Sequence, residues 1–380
     1  MPLQIFRKKN HHLNSLTAKM PTSKFFPQLE GLRAYAIMFV VMVHWQVAGN
    51  SMEYWIRWAG TWGINYFFVL SGFLIGSILL NEKAQYDAHP ESSADHFLKV
   101  FYMRRILRIF PIYYLLILFL LLIRFPGFIT DLYPWLLLYG ANIYIFFHGW
   151  IWPLSHLWTL SVEEHFIILF PFIIFFIPKR LTVYAVVWVG ILGIVCRTVL
   201  YLYKQEFYAI FTFSSFDALA LGVLLAYFKM KNITIPYLKT ITLLAFLLYV
   251  YLPLPSFMYF TGKTLMHVII PSAAIFSLGI VFYASSENRK PSVLTILIQN
   301  KITLYIGKIG YGLYVYHLLV PDLRNYLLRV TGLTISVLPT VYTFDILLLL
   351  SLASLSFYII EKPIYSLKKH FQYNYLKQAD

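Results

Sequence analysis

Arg33 and His44 bracket the first long apolar run of the chain, Arg33-AYAIMFVVMV-His44. An ionisable side chain within such a run is costly and marks a functional position by default. Eleven steps of about 100° make three turns and about 20° more, so a helix carries both residues on one face, about 16 Å apart along its axis. Arg33 then stands at one lip of a membrane span and His44 near its middle. A guanidinium suits phosphate or carboxylate, held bidentately. An imidazole that titrates near neutrality suits general-base chemistry. The competing reading of His44, a histidine merely hydrogen bonded to a neighbouring helix, is weakened by the face it shares with Arg33.

Other polar residues recur at the ends of apolar segments. Arg104, Arg105 and Arg108 occupy one helical turn ahead of Pro111. They are a phosphate site or an anchor at a membrane surface, and three guanidiniums in five positions exceed what anchoring requires. The densest cluster is Ser155-His156-Leu157-Trp158-Thr159-Leu160-Ser161-Val162-Glu163-Glu164-His165. His156, Glu163 and Glu164 could orient a polyol, or Ser161 and Glu164 could simply cap a helix as N-cap and N3. Ser71 lies in Asn65-YFFVL-Ser71-Gly72, without the surroundings of a hydrolase nucleophile, so close helix packing is the better reading. Asp217 needs a partner inside its span, and Arg197 is one candidate. Lys308 and His317 form a basic pair in a later span; Glu361-Lys362-Pro363 closes the last one, with Pro363 expected to stop the helix. No HExxH or other zinc spacing occurs, so no metal is implied.

These residues must be positioned by membrane helices. Of 380 residues, 59% are apolar and only 12% charged, half the charged share of a typical soluble domain, which is roughly 25%. That excludes a soluble enzyme, a coiled coil and a disordered chain. Apolar segments of span length lie at about 34–50, 60–80, 108–125, 164–178, 181–203, 209–228, 239–255, 265–284, 302–320 and 340–360. The expected fold is an all-α polytopic membrane protein of about ten helices. The run 132–150, with Pro134, Gly140 and Gly149, reads as interfacial or re-entrant. Residues 1–26 form a basic leader without signal-peptide character, residues 27–363 the membrane domain, and residues 364–380 a tail. The net charge of +15 could point to nucleic acid, but its distribution points to the bilayer. With the N-terminus inside, 22 of the 31 Lys and Arg fall on inner segments, 6 on outer ones and 3 within or beside spans. This asymmetry puts both termini in the cytoplasm. Cys196 is the one cysteine, so no internal disulfide forms.

Six ordered pieces together resemble the acyltransferase-3 family of integral membrane acyltransferases, from about Pro27 to Pro363: Leu29-Glu30-Gly31-Leu32-Arg33 leading to His44, NYFFVLSGFLI (65–75), RRILRIFPIYY (104–114), LWTLSVEEHF (157–166), FDALALG (216–222) and YGLYVYH (311–317). The resemblance implies transfer of an acetyl or other acyl group from cytoplasmic acyl-CoA to a hydroxyl of an extracytoplasmic or lipid-linked carbohydrate, such as O-antigen or exopolysaccharide, in a bacterial cytoplasmic (inner) membrane. It assigns catalysis to His44 with Arg33 and Glu163, and donor binding to Arg33, Arg104, Arg105 and Arg108. His156, Glu164 and Asp217 fall on the acceptor side. Acetyl-CoA is a substrate, and no permanently bound cofactor is implied. Family members often carry Arg where this chain has Ser215, and Gln where it has His165. The SGNH domain fused to some relatives is not expected here. A transporter or flippase of a lipid-linked sugar is the rival reading, to which paired broken helices would lend weight. Nothing in the sequence specifies an oligomeric state.

Overall fold

The computed structural model describes residues 26–45, 50–89, 93–123, 131–251, 266–286, 293–335 and 337–373. The expected leader, all but Phe26, and the last residues of the tail lie outside the described residues. In chain order the helices are α1 (Pro27–Trp45), α2 (Asn50–Ala88), α3 (Ala94–Leu122), α4 (Tyr133–Leu137), α5 (Ala141–His148), α6 (Leu157–Phe176), α7 (Thr182–Leu202), α8 (Phe216–Met230), α9 (Leu238–Tyr251), α10 (Met266–Ala284), α11 (Val293–Gln299), α12 (Lys301–Lys308), α13 (Gly310–Tyr316), α14 (Val320–Thr331), α15 (Leu338–Ser356) and α16 (Lys362–Ser366). Among the described residues there is no strand.

Among the described residues, six helical stretches are long and apolar enough to cross a bilayer: 58–88, 94–122, 157–176, 182–202, 212–230 and 339–370. Large apolar side chains such as Trp188, Leu192 and Leu202 on α7, and Leu243, Leu244 and Leu247 on α9, point outward. Water would penalise that surface and lipid does not. The inner contacts are close. A Cβ on Gly72 of α2 would come within 2.0 Å of the Leu219 carbonyl oxygen, and one on Gly222 of α8 within 2.1 Å of the Val69 carbonyl oxygen. Small residues therefore set the α2–α8 spacing, as expected for helices whose association in lipid rests on van der Waals contact.

Several boundaries differ from those expected. The arginine trio does not open a span, because α3 begins at Ala94 with Ser93 Oγ accepting from the His96 amide, and Pro111 is contained within the helix. Ser161 is not an N-cap. Helix α6 starts at Leu157, and Ser161 Oγ donates to the Leu157 carbonyl at 3.2 Å. The run 132–150 folds as the two short helices α4 and α5, which bury Leu136, Ala141, Asn142 and Ile145. Pro363 does not stop the last helix. A π-helical turn at Phe357–Glu361 precedes it, and this shift of bonding accommodates the ring and the missing N–H at Pro363.

The largest departure is the apolar segment 302–320. It is not one helix but α12, α13 and α14, interrupted at Ile309 and again after Tyr316. Gly307 lets α12 approach α1, where a Cβ would meet the Glu30 carbonyl oxygen at 2.2 Å. Ile309 and Leu313 pack with Ile37, Val40 and Trp45 of α1, whereas Val315 faces the cluster of Tyr113, Leu136 and Leu157. The broken helix is thus wedged between two apolar clusters.

Candidate active site

A cavity of about 500 Å³ opens between α1, α2, α3, α6, the broken helix, the π-helical turn Phe357–Glu361 and α16. Arg33, Arg105, Arg108, Lys308 and Lys362 supply its cations, and Glu30, Glu163 and Glu361 its carboxylates. Arg33 Nη1 donates to both Glu30 oxygens, at 2.8 and 2.9 Å. Ser71 Oγ donates to Glu163 Oε1 at 2.9 Å, so the serine read as a packing residue also holds the carboxylate of α6. Ser356 Oγ donates to Glu361 Oε1 at 3.2 Å. Tyr311, on the cavity wall, donates to the Ile109 carbonyl at 2.7 Å and fixes α13 against α3.

Thr159 and Tyr314, whose hydroxyls are hydrogen bonded to each other, line the cavity. Behind Tyr314 stands a cluster of three histidines. Its ring lies 5.4 Å from that of His156 and 5.6 Å from that of His317, while His317 lies 4.8 Å from His156 and 4.9 Å from His44.

The break in the helix frees carbonyl groups that would otherwise accept bonds within it. The Tyr314 carbonyl takes His317 Nδ1 at 2.7 Å and the Val315 carbonyl takes His156 Nε2 at 3.1 Å. The His317 carbonyl accepts from the Trp45 indole at 2.8 Å. A carbonyl oxygen only accepts, so each imidazole nitrogen facing one carries the proton. His156 Nδ1 is buried with no hydrogen-bond partner among the described residues. Those residues include no group of three or more His, Cys, Asp or Glu placed to hold a metal ion.

The structure brings together Arg33, Arg105, Arg108 and Glu163 in the cavity. His44 and His156 do not line it; they belong to the histidine cluster behind Tyr314. Arg104 turns away, its guanidinium lying 5.4 Å from the centre of the Tyr373 ring. Burial pushes the Tyr373 phenol up, so Arg104 meets a neutral ring there. Glu164 is buried away from the cavity wall. Asp217 is likewise absent from the wall; Arg197 holds it with a bidentate contact at 3.1 and 2.7 Å, both residues being buried. His165 Nδ1 bonds Thr212 Oγ1 at 2.9 Å, outside the cavity. Sequence reasoning passed over Glu30, Thr159 and Tyr314 as site residues. The only signal for Tyr314 was its place in Tyr311-GLYVY-His317, where a tyrosine among apolar residues resembles ordinary core.

A family model described as an acyltransferase domain matches residues 26–360. The chain is 29% identical to the peptidoglycan O-acetyltransferase OatA of Listeria monocytogenes, over 93% of this chain and 57% of that protein. It is 26% identical to the O-acetyltransferase OatA of Staphylococcus aureus, over 91% of this chain and 58% of that protein. The chain therefore spans somewhat over half the length of these relatives. No solved structure matches it.

Proposed function

The chain belongs to the acyltransferase-3 family of membrane acyltransferases, and from that premise we propose that it moves an acetyl group from cytoplasmic acetyl-CoA to a hydroxyl of an extracytoplasmic carbohydrate. The observation that carries this reading is the cavity in which Arg33, Arg105, Arg108 and Glu163 converge and whose lining residue Tyr314 packs against the histidine cluster containing His44. Phosphates of the donor dock on Arg105 and Arg108, where planar guanidiniums match phosphate oxygens. Lys308 and Lys362 add positive charge beside them. The thioester arm extends toward Tyr314 and the histidines behind it. The acceptor hydroxyl arrives from the other face, and His44 takes its proton as the oxygen attacks the thioester carbon. The carbon–sulfur bond then breaks, and the proton passes to the departing thiolate.

The six long helices, the shorter apolar helices α9 and α10, α1 and the broken α12–α13 supply ten crossings in this reading. Both termini then lie in the cytoplasm, on the side of the basic segments, and the membrane is the bacterial cytoplasmic one. The name of the Listeria relative favours a cell-wall glycan as acceptor over lipopolysaccharide.

The test is transfer of label from acetyl-CoA by the purified protein in lipid. His44→Ala abolishes transfer while the protein stays inserted and folded. Wild-type transfer by that variant would remove the mechanism.

A further inference from the structure

We infer that His317 is a positioning residue for the proposed base: it fixes the proton of His44 on Nδ1 and so presents the lone pair at Nε2. The inference rests on the proposed acetyl transfer and adds a residue to it. Three contacts carry it. His317 Nδ1 faces the Tyr314 carbonyl at 2.7 Å and therefore bears a hydrogen. His317 is fully buried, and an imidazolium there would bury a full charge beside two more imidazoles, so its other nitrogen, Nε2, carries a lone pair. His44 Nδ1 lies 3.1 Å from that lone pair and 2.9 Å from the Val40 carbonyl oxygen. Both neighbours accept, so His44 Nδ1 is the protonated nitrogen and donates between them.

Two further bonds hold this geometry. The Trp45 indole donates to the His317 carbonyl at 2.8 Å, tying the residue after His44 to the broken helix. His156 Nε2 donates to the Val315 carbonyl at 3.1 Å from the opposite side. His317 is thereby clamped between α1 and the start of α6. When His44 takes a proton at Nε2, the resulting imidazolium keeps its Nδ1–H directed at His317 Nε2, which spreads the new charge. The logic is that of a base oriented by a second group, with a neutral imidazole and a carbonyl in the orienting role.

The experiment uses the full chain in nanodiscs, with His317→Ala, His317→Gln and His44→Ala compared for acetyl transfer. His317→Ala lowers kcat by about 100-fold, within the range of general-base contributions, with the KM for acetyl-CoA changed less than about twofold. His317→Gln, whose amide oxygen can accept from His44 Nδ1–H, recovers to within about tenfold of the unsubstituted rate. Nitrogen-15 spectra of histidine-labelled protein, with the His44 signals identified by their loss in His44→Ala, show Nδ1 protonated and Nε2 unprotonated. A proton on Nε2 in the unsubstituted protein overturns the inference, and this measurement does not depend on any variant folding. Full activity in His317→Ala with none in His44→Ala also overturns it while leaving the acetyl-transfer reading intact. Equal loss in both His317 variants, with unchanged melting and an unshifted His44 spectrum, assigns His317 to structure and likewise overturns it. Activity in His44→Ala would instead defeat the underlying mechanism.

Discussion

Of the three arginines in Arg104-Arg105-Ile-Leu-Arg108, only Arg105 and Arg108 reach the cavity; Arg104 rests on Tyr373. Replacing each in turn by glutamine therefore separates the trio. A hydrogen bond to a charged group contributes about 1.5–3 kcal/mol, and each 1.4 kcal/mol is tenfold in affinity. Arg105→Gln and Arg108→Gln are expected to raise the KM for acetyl-CoA by about 10- to 100-fold each, with kcat changed less than about threefold. Arg104→Gln leaves it within about twofold, because what it loses is its contact with Tyr373, away from the cavity. The assay is initial-rate transfer from labelled acetyl-CoA at saturating acceptor, with the donor varied. A KM in Arg104→Gln raised as far as in the other two would refute the division of the trio. A change confined to the acceptor KM would refute the assignment of the arginines to the donor.

Two further outcomes follow from contacts in the same bundle. Gly222→Ala places a methyl about 2 Å from the backbone of α2, so the helices must separate; the expected loss is about 1–3 kcal/mol, read as a lowered melting temperature in detergent, and unchanged melting would show that the contact is looser than described. Ser71→Ala removes the hydrogen bond to Glu163 and should lower kcat/KM by about tenfold, at the lower end of the range for a bond to a charged group, without a matching loss of thermal stability; full activity would show that this carboxylate needs no such anchor.

Much of the fold was legible because hydropathy over twenty residues reports the solvent around a helix, and segments such as 181–203 and 209–228 coincide closely with α7 and with the helix ending at Met230. The same averaging concealed the break in 302–320. Gly307, Gly310 and Gly312 are uncharged and close to neutral in hydropathy, so among Ile306, Ile309 and Leu313 they barely lower a mean over twenty residues. The arginines show a second limit. At 100° per residue, Arg108 falls between Arg104 and Arg105 around the helix axis, so either pair could share a face, and only the packing of α3 chooses 105 with 108. Arg197 and Asp217 were legible as a pair because two opposite charges in adjacent spans have few other ways to be satisfied. The His44–His317 contact was not. Its partners are 273 residues apart, and neither residue's local pattern names the other.

That buried pair between α7 and α8 has a consequence for how the chain enters the bilayer. A solitary arginine or aspartate costs about 2.5–3.5 kcal/mol at the centre of a membrane helix and less towards its ends; Arg197 lies near the end of α7 and Asp217 in the first turn of α8, on consecutive helices. Each helix alone carries one uncompensated charge, whereas the hairpin presents a neutralised pair. Entry of the two segments as a paired hairpin is therefore favoured over entry one at a time, and Asp217, which lies off the cavity wall, acts on the assembly of the bundle.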